Sequence, residues 1–338
     1  MCAGIKTALG RKREIDILKG ILTITMILCH SIQFFGLEDD PVQGFLVNVI
    51  NLTTFSGFVF CFGYVGEMAY FQKGWMEGAC KMGKNMLRIL IAFYLSGIAY
   101  VALVEGKIFR IDFIREVMFL KKYPGWSEFL VSFSAMLLIG ILCFPLLKRM
   151  NGKILVLCAL TSGSLCFLPY DKIQNSWLAL FVGSRHYVTF PVLQYSFFFA
   201  VGIWFCKKQI KCKWQIMVIS ICLGLPCLFY YGKTAYLPER FPVSVWYLFG
   251  GCLFVYLYYL LACSYGNKVN TEEDFIKRFD KITTAVKEIP YVCGYCYTQV
   301  TDVQQEINGL MDIDRNFKVN VDTIKEINER QIGYWRKM

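Results

Sequence analysis

The feature that most constrains this chain is a series of apolar blocks, each near 20 residues long, that runs through roughly residue 265. Twenty residues at 1.5 Å each cross a hydrocarbon core of about 30 Å, and a helix satisfies its own backbone hydrogen bonds there. About eight blocks can be counted: near Ile15 to Phe35, Phe45 to Tyr70, Met86 to Val104, Phe129 to Leu147, Ile154 to Pro169, Tyr187 to Phe205, Trp214 to Tyr231 and Val243 to Cys263. Hydrophobic residues make up 56% of the 338 positions and charged ones only 18%, which argues against a soluble globule. The fold expected is an all-α polytopic membrane protein of about eight transmembrane helices, followed by a short α/β cytoplasmic tail.

Charge sets the orientation. Arg11, Lys12 and Arg13 precede the first block, and the alternate connections are basic: Lys73, Lys81, Lys84 and Arg88, then Lys148, Arg149 and Lys153, then Lys207, Lys208, Lys211 and Lys213. By the positive-inside rule these face the cytoplasm, and eight spans then leave both termini cytoplasmic, in a multi-pass protein of the cell (plasma) membrane. The intervening connections mix signs (Glu105, Lys107, Arg110, Asp112, Arg115, Glu116) or hold few charges (Lys233, Glu239, Arg240). No small-residue cleavage site closes the first block, so it reads as a retained helix rather than a signal peptide. The net charge of +11 is accounted for by these juxtamembrane runs, so nucleic acid is not an expected partner; the lipid bilayer is. Most of the 15 cysteines are scattered singly through apolar blocks, where cysteine packs as a small hydrophobe. The one close pair, Cys293 and Cys296, lacks the second pair a zinc site needs, and no metal site is expected.

The first block carries a pattern of its own. In REIDILKGILTITMILCHSIQFFG, Asp16, Lys19, Thr23 and His30 fall within about 60° of one another on a helical wheel. Ionisable groups within a span are costly and usually face a protein interior or aqueous cavity. Lys19 and His30 lie about 20° apart around the helix and about 16 Å apart along it. Lys19 at the cytoplasmic mouth suits an anionic group entering from that side, and His30, deeper, suits proton transfer at a buried centre. Two plainer roles stand beside these: Lys19 snorkelling near a boundary with Asp16 as its i, i+3 neighbour, and His30 as a hydrogen-bonded packing residue between helices.

The run IDILKGILTITMILCH resembles the opening helix of the acyltransferase-3 family, membrane enzymes that O-acylate glycans and related acceptors, whose motif is an arginine, ten residues, then a histidine. Lys19 stands in the arginine's place, keeping the charge without the bidentate fork, and His30 matches the histidine. FVFCFGYVGEMAY is similar to the family's F-x-S-G-Y segment, KMGKNMLRILIAFY to the basic start of its third span with Arg88 the retained charge, GWSEFLVSFSAMLLIGILCFPLL to its W-F-L helix and YSFFFAVGIWFCK to its F-F-x-x-G-I helix. The likeness covers residues 1-265 as one domain and implies an O-acyltransferase. Acyl-CoA (acetyl-CoA) is the co-substrate with no bound cofactor, and a glycan or lipid-linked glycan hydroxyl is the acceptor. His30 is then catalytic, Lys19 and Arg88 donor-binding, Asp16 and Thr23 supporting. The family has about ten spans, so the bundle is expected to be truncated. Arg185 and His186 fall at an outer boundary, where interfacial placement is expected. A transporter or flippase also needs polar groups at membrane depth and is the rival class, although no clear internal repeat supports it. An inactive fusion or truncation product is the third reading.

After Ser264 the composition changes abruptly. Thr271 with Asp274 resembles a capping box, and Phe275, Phe279, Ile282 and Val286 form a stripe at helical spacing. YVCGYCYTQV reads as a strand, a turn follows near Asn308 and Gly309, and VNVDTIKEINERQIGYW reads as a second helix. The run GYCYTQVTDVQQEINGLMDIDRNFKV is similar to the end of the catalytic barrel in family 2 glycoside hydrolases, the β-galactosidase and β-glucuronidase group. Residues 266-338 are therefore expected to be a partial barrel fragment without glycosidase activity, since the two carboxylates of that chemistry lie on earlier strands. The chain reads as a gene fusion, or as an assembly or frameshift join of two unrelated reading frames.

Overall fold

The computed structural model describes residues 12–36, 40–106, 111–125, 127–238, 240–266, 272–292, 294–295, 300, 310–312 and 315–332. Among the described residues the chain is helical: α1 (Arg13–Phe35), α2 (Pro41–Gly66), α3 (Trp75–Ala99), α4 (Ile111–Met118), α5 (Glu128–Leu142), α6 (Phe144–Lys148), α7 (Gly152–Leu165), α8 (Ser176–Val182), α9 (Val192–Lys207), α10 (Trp214–Thr234), α11 (Val245–Gly266), α12 (Glu272–Lys287) and α13 (Val321–Glu329). Single π-helical turns, Glu67–Phe71 and Tyr100–Val104, extend α2 and α3. It divides into two compact units, one from Lys12 to Cys263 and one that holds Ser264 onward.

Five helices of the first unit, α1, α2 and α3 with their extensions, α10 and α11, are long and apolar enough to cross a membrane, and α5, α7 and α9 are shorter apolar helices. Local chemistry marks their ends. Asp40 accepts from the amides of Val42 and Gln43, and Pro41 takes the first turn of α2, where its missing N–H costs nothing. Asn151 caps α7 in the same way through Ile154. Two expected blocks are corrected. The third starts at Trp75 rather than Met86, because its basic first turns continue the helix; the sixth starts at Val192 rather than Tyr187, because Pro191 occupies the cap position.

The basic connections meet at one end of the bundle. Lys12 Nζ donates to Gln209 Oε1 (2.6 Å), Lys148 Nζ to the carbonyl of Lys73 (2.6 Å), and Lys207 Nζ to the carbonyl of Lys148. At the opposite end Tyr123 donates to the carbonyl of Ser176 and Tyr170 to that of Val243.

The bundle is organised on α2, which packs against both α1 and α9, while α3 pairs with α5 and α7 with α9. The α2–α9 crossing is backbone on backbone. A Cβ on Gly63 would lie 2.0 Å from the carbonyl oxygen of Phe199, and one on Gly202 2.1 Å from that of Phe60. Around the crossing Phe60, Phe205 and Tyr259 pack edge to face, and the Tyr259 hydroxyl is spent on the carbonyl of Ile210 (2.7 Å).

In the second unit α12 and α13 pack through Phe279, Ile324 and Ile327. The expected apolar stripe is corrected: Ile282 is 65% exposed, and the buried line runs instead through Phe279, Thr283 and Lys287, because one short partner helix covers only a narrow face. Lys287 is buried, with Nζ donating to the carbonyls of Ile327, Asn328 and Arg330 (3.2, 2.6 and 2.8 Å), and so closes the C-terminal end of α13. Burial, and then the nearby Arg330, hold its ammonium below the usual lysine range. Of the expected strand, residues 293 and 296–299 lie outside the described residues, and the others form no strand; the described β-type pairing of this unit is the bridge between Met311 and Phe317. Thr271, Asn308 and Gly309 also lie outside the described residues.

Three outcomes follow from this packing. Gly63→Ala and Gly202→Ala should each destabilise the bundle by about 3 kcal/mol, seen as a lower midpoint of thermal unfolding in detergent, because the new methyl meets backbone that has no rotamer to give. Gly83→Ala, which meets nothing within 4 Å on α3, should instead raise the midpoint through helix propensity. In the tail, Lys287→Met should weaken protection of the α13 amides against hydrogen exchange by about 2 kcal/mol as three carbonyls lose their charged donor.

Candidate functional site

The seam that seats α1 on α2 is formed by Ile15, Leu18, Leu22 and Cys29, all buried, with Leu22 fitting over Gly57. At 100° per residue, the line through Asp16, Lys19, Thr23 and His30 lies about 100° round the helix from this seam. The stripe therefore flanks the seam and does not enter the core, where the cost of ionisable groups would have led one to look. Asp16 and Thr23 are exposed; Lys19 and His30 are half-buried. Thr23 Oγ1 donates back to the carbonyl of Lys19 (2.9 Å), the usual fate of a threonine within an apolar helix.

His30 Nδ1 lies 3.1 Å from Gln33 Oε1 one turn on. Arg88 stands apart. It is exposed on α3, reaches Asn85 at 3.5 Å, and its helix packs chiefly against α5. Asn85 in turn donates to the Tyr70 hydroxyl (2.6 Å).

A second polar group, not singled out by the sequence, lies at the depth of His30. Arg240, in the connection between α10 and α11, donates from Nη1 to Asn51 Oδ1 on α2 (2.7 Å). The Cys29 thiol, next to His30 in the chain, points at the same oxygen at 3.8 Å. Tyr247 of α11 donates to the Asn51 carbonyl (2.7 Å) and lies beside the guanidinium. The guanidinium sits over the rings of Phe241 (4.3 Å) and Phe190 (5.7 Å). Phe190 leads on to Tyr195, whose hydroxyl is buried with no hydrogen-bond partner among the described residues. Five separate segments thus bring a cation and two phenols together. Such a group favours an anion, or an oxygen on which negative charge develops. Its sequence signal was faint: one arginine in a connection otherwise poor in charge.

At the other end Glu67 is buried, with Oε2 unpartnered among the described residues and Lys207 and Lys148 as its charged neighbours. Arg185 and His186 serve their own loop. Arg185 Nε pairs with Asp171 (3.1 Å), and His186 Nε2 lies 3.0 Å from the Asp171 carbonyl. Among the described residues no three His, Cys, Asp or Glu side chains group as metal ligands; Cys293 and Cys296 lie outside them.

No protein-family model, curated protein or solved structure matches the chain.

The Arg240 group generates a measurable expectation. Arg240→Ala leaves the Asn51 oxygen to the Cys29 thiol and removes the cation that favours its thiolate, so maleimide labelling at Cys29 should slow, while labelling of the exposed Cys80 stays constant and serves as the internal reference.

Proposed function

We propose that this protein is a membrane O-acyltransferase of about eight transmembrane helices in the cell membrane, with both termini cytoplasmic. It moves an acyl group, in the first instance acetyl, from acyl-CoA to a hydroxyl of a cell-surface or lipid-linked glycan. The observation that carries the reading is the position of His30: half-buried, 3.1 Å from Gln33 through Nδ1, next in the chain to Cys29, whose thiol shares the Asn51 oxygen with Arg240, and on one helix face with Lys19. The gathering of Lys12, Lys73, Lys148 and Lys207 at one end supports a cytoplasmic face there, from which an anionic donor enters. In this reading the shorter apolar helices α5, α7 and α9 serve as the remaining three spans beside the five longer ones.

In this reading Lys19, and Arg88 on α3, attract the phosphates of the donor, and the about 16 Å between Lys19 and His30 is spanned by the donor's long arm. His30 takes the proton of the acceptor hydroxyl as its oxygen attacks the thioester carbonyl. The C–S bond breaks, an ester C–O bond forms, and the proton passes to the departing CoA sulfur. Arg240 is placed to favour the negative charge that develops on the carbonyl oxygen. Asp16 and Thr23 support the α1 backbone. The tail has no part in this chemistry and is not a glycosidase, since that reaction needs two positioned carboxylates.

The test is acetylation of glycan hydroxyls in membranes that contain the full chain. His30→Ala should lower transfer by at least about 100-fold with unchanged membrane insertion, and Lys19→Ala should raise the KM for acetyl-CoA more than it lowers kcat. Undiminished acetylation in His30→Ala would sink the assignment, and solute export without ester formation would replace it with transport.

A further inference from the structure

A second feature lies away from the α1 stripe and Arg240. Between α7 and α10, with α9 and α11 as its floor, runs a cleft of about 790 Å³, within the range of small-molecule sites. Its walls are apolar, Ala159 on one side and Ile219 on the other over Phe249. Three of its four hydroxyls are spent on backbone: Ser164 donates to the carbonyl of Thr161, Tyr256 to that of Lys213 and Tyr259 to that of Ile210, Ser220 being the fourth. A water-soluble ligand would find few partners in such a cleft, whereas hydrocarbon loses nothing by entering it. The rims remain open, with Leu160 67% and Ile219 57% exposed.

One end of the cleft is charged, and with one sign. It begins at Gly152, beside Lys153, and at Tyr256, whose hydroxyl also accepts from the Lys213 amide. Lys153 and Lys213 are exposed, and the highly exposed Trp214 follows. No Asp or Glu occurs between Glu128 and Asp171, nor between Asp171 and Glu239, so both connections at this end are purely basic. A dry groove that ends on unopposed lysines and an interfacial tryptophan complements an acyl chain attached to an anionic headgroup.

We propose that the α7–α10 cleft binds one anionic phospholipid, its acyl chains in the groove and its phosphate on Lys153 and Lys213. This site stands independently of the acyl-transfer reading. The test uses the full chain extracted from bilayers of equal phosphatidylglycerol and phosphatidylethanolamine and examined by native mass spectrometry. The expected result is a retained lipid with phosphatidylglycerol favoured at least ten-fold. Lys153→Glu with Lys213→Glu should bring the preference close to parity without removing the lipid. Ala159→Trp, which fills the groove, should abolish retention, and Ile219→Trp on the facing wall gives the same reading if the first variant does not fold. Leu95→Trp, on an exposed face of α3, should change nothing. Lipid-free wild-type protein, equal retention of both lipids, or retention undiminished in the tryptophan variants would overturn the proposal, as would a dimer through this face at every lipid ratio.

Discussion

The crossing of α2 and α9 at Gly63 and Gly202 is the contact on which the rest of the bundle hangs. Inside a bilayer, helices gain little from hiding apolar surface from one another, because lipid is as apolar as leucine; what holds them is close packing and hydrogen bonding. Two glycines let the backbones touch, and the aromatic residues on either side, Phe60, Phe205 and Tyr259, then fill the diverging space. With α2 fixed by α9, its other faces become templates. Gly57 receives Leu22 and so sets the rotation of α1, while Asn51, about two turns nearer the start of α2, receives Arg240 and Tyr247. The half-buried environment of His30 is thus fixed by a contact on the far side of a neighbouring helix.

Those dependencies explain what the sequence revealed and what it withheld. Apolar block length is a one-dimensional property with a physical threshold, so the long helices were legible, and capping residues such as Asp40 and Asn151 trimmed their ends. The short helices α4 and α8 carry no comparable signal, because eight or fewer residues give neither a span nor a full amphipathic period. Arg240 was invisible as a partner of Asn51 because 189 residues separate them, and nothing in either segment marks the meeting. The tail shows the same limit in miniature. Its helical period was readable, but whether Ile282 or Thr283 lies inside depends on where the partner helix falls.

The α1 stripe separates two kinds of inference. Helical geometry alone puts Asp16, Lys19, Thr23 and His30 on one face, and that part needs no partner. Which way the face looks depends on where the apolar positions are widest and on what complements them. Ile15, Leu18, Leu22 and Cys29 win the seam because they fit against α2, and the polar line is left along its edge.

An edge position is also what an acid–base group in a membrane protein requires. A histidine in the seam itself would be shut off from any substrate by Leu22 and Cys29, and one turned fully outward would face hydrocarbon, where its ring nitrogens have no partners. At the edge, Nδ1 lies beside Gln33, and the Arg240 guanidinium meets Asn51, the residue the neighbouring Cys29 thiol also reaches. The neighbouring aromatic rings lower the local dielectric and strengthen the field of that guanidinium. The seam residues thus set how far His30 is covered, and the contacts at Asn51 set what lies beside its neighbour Cys29.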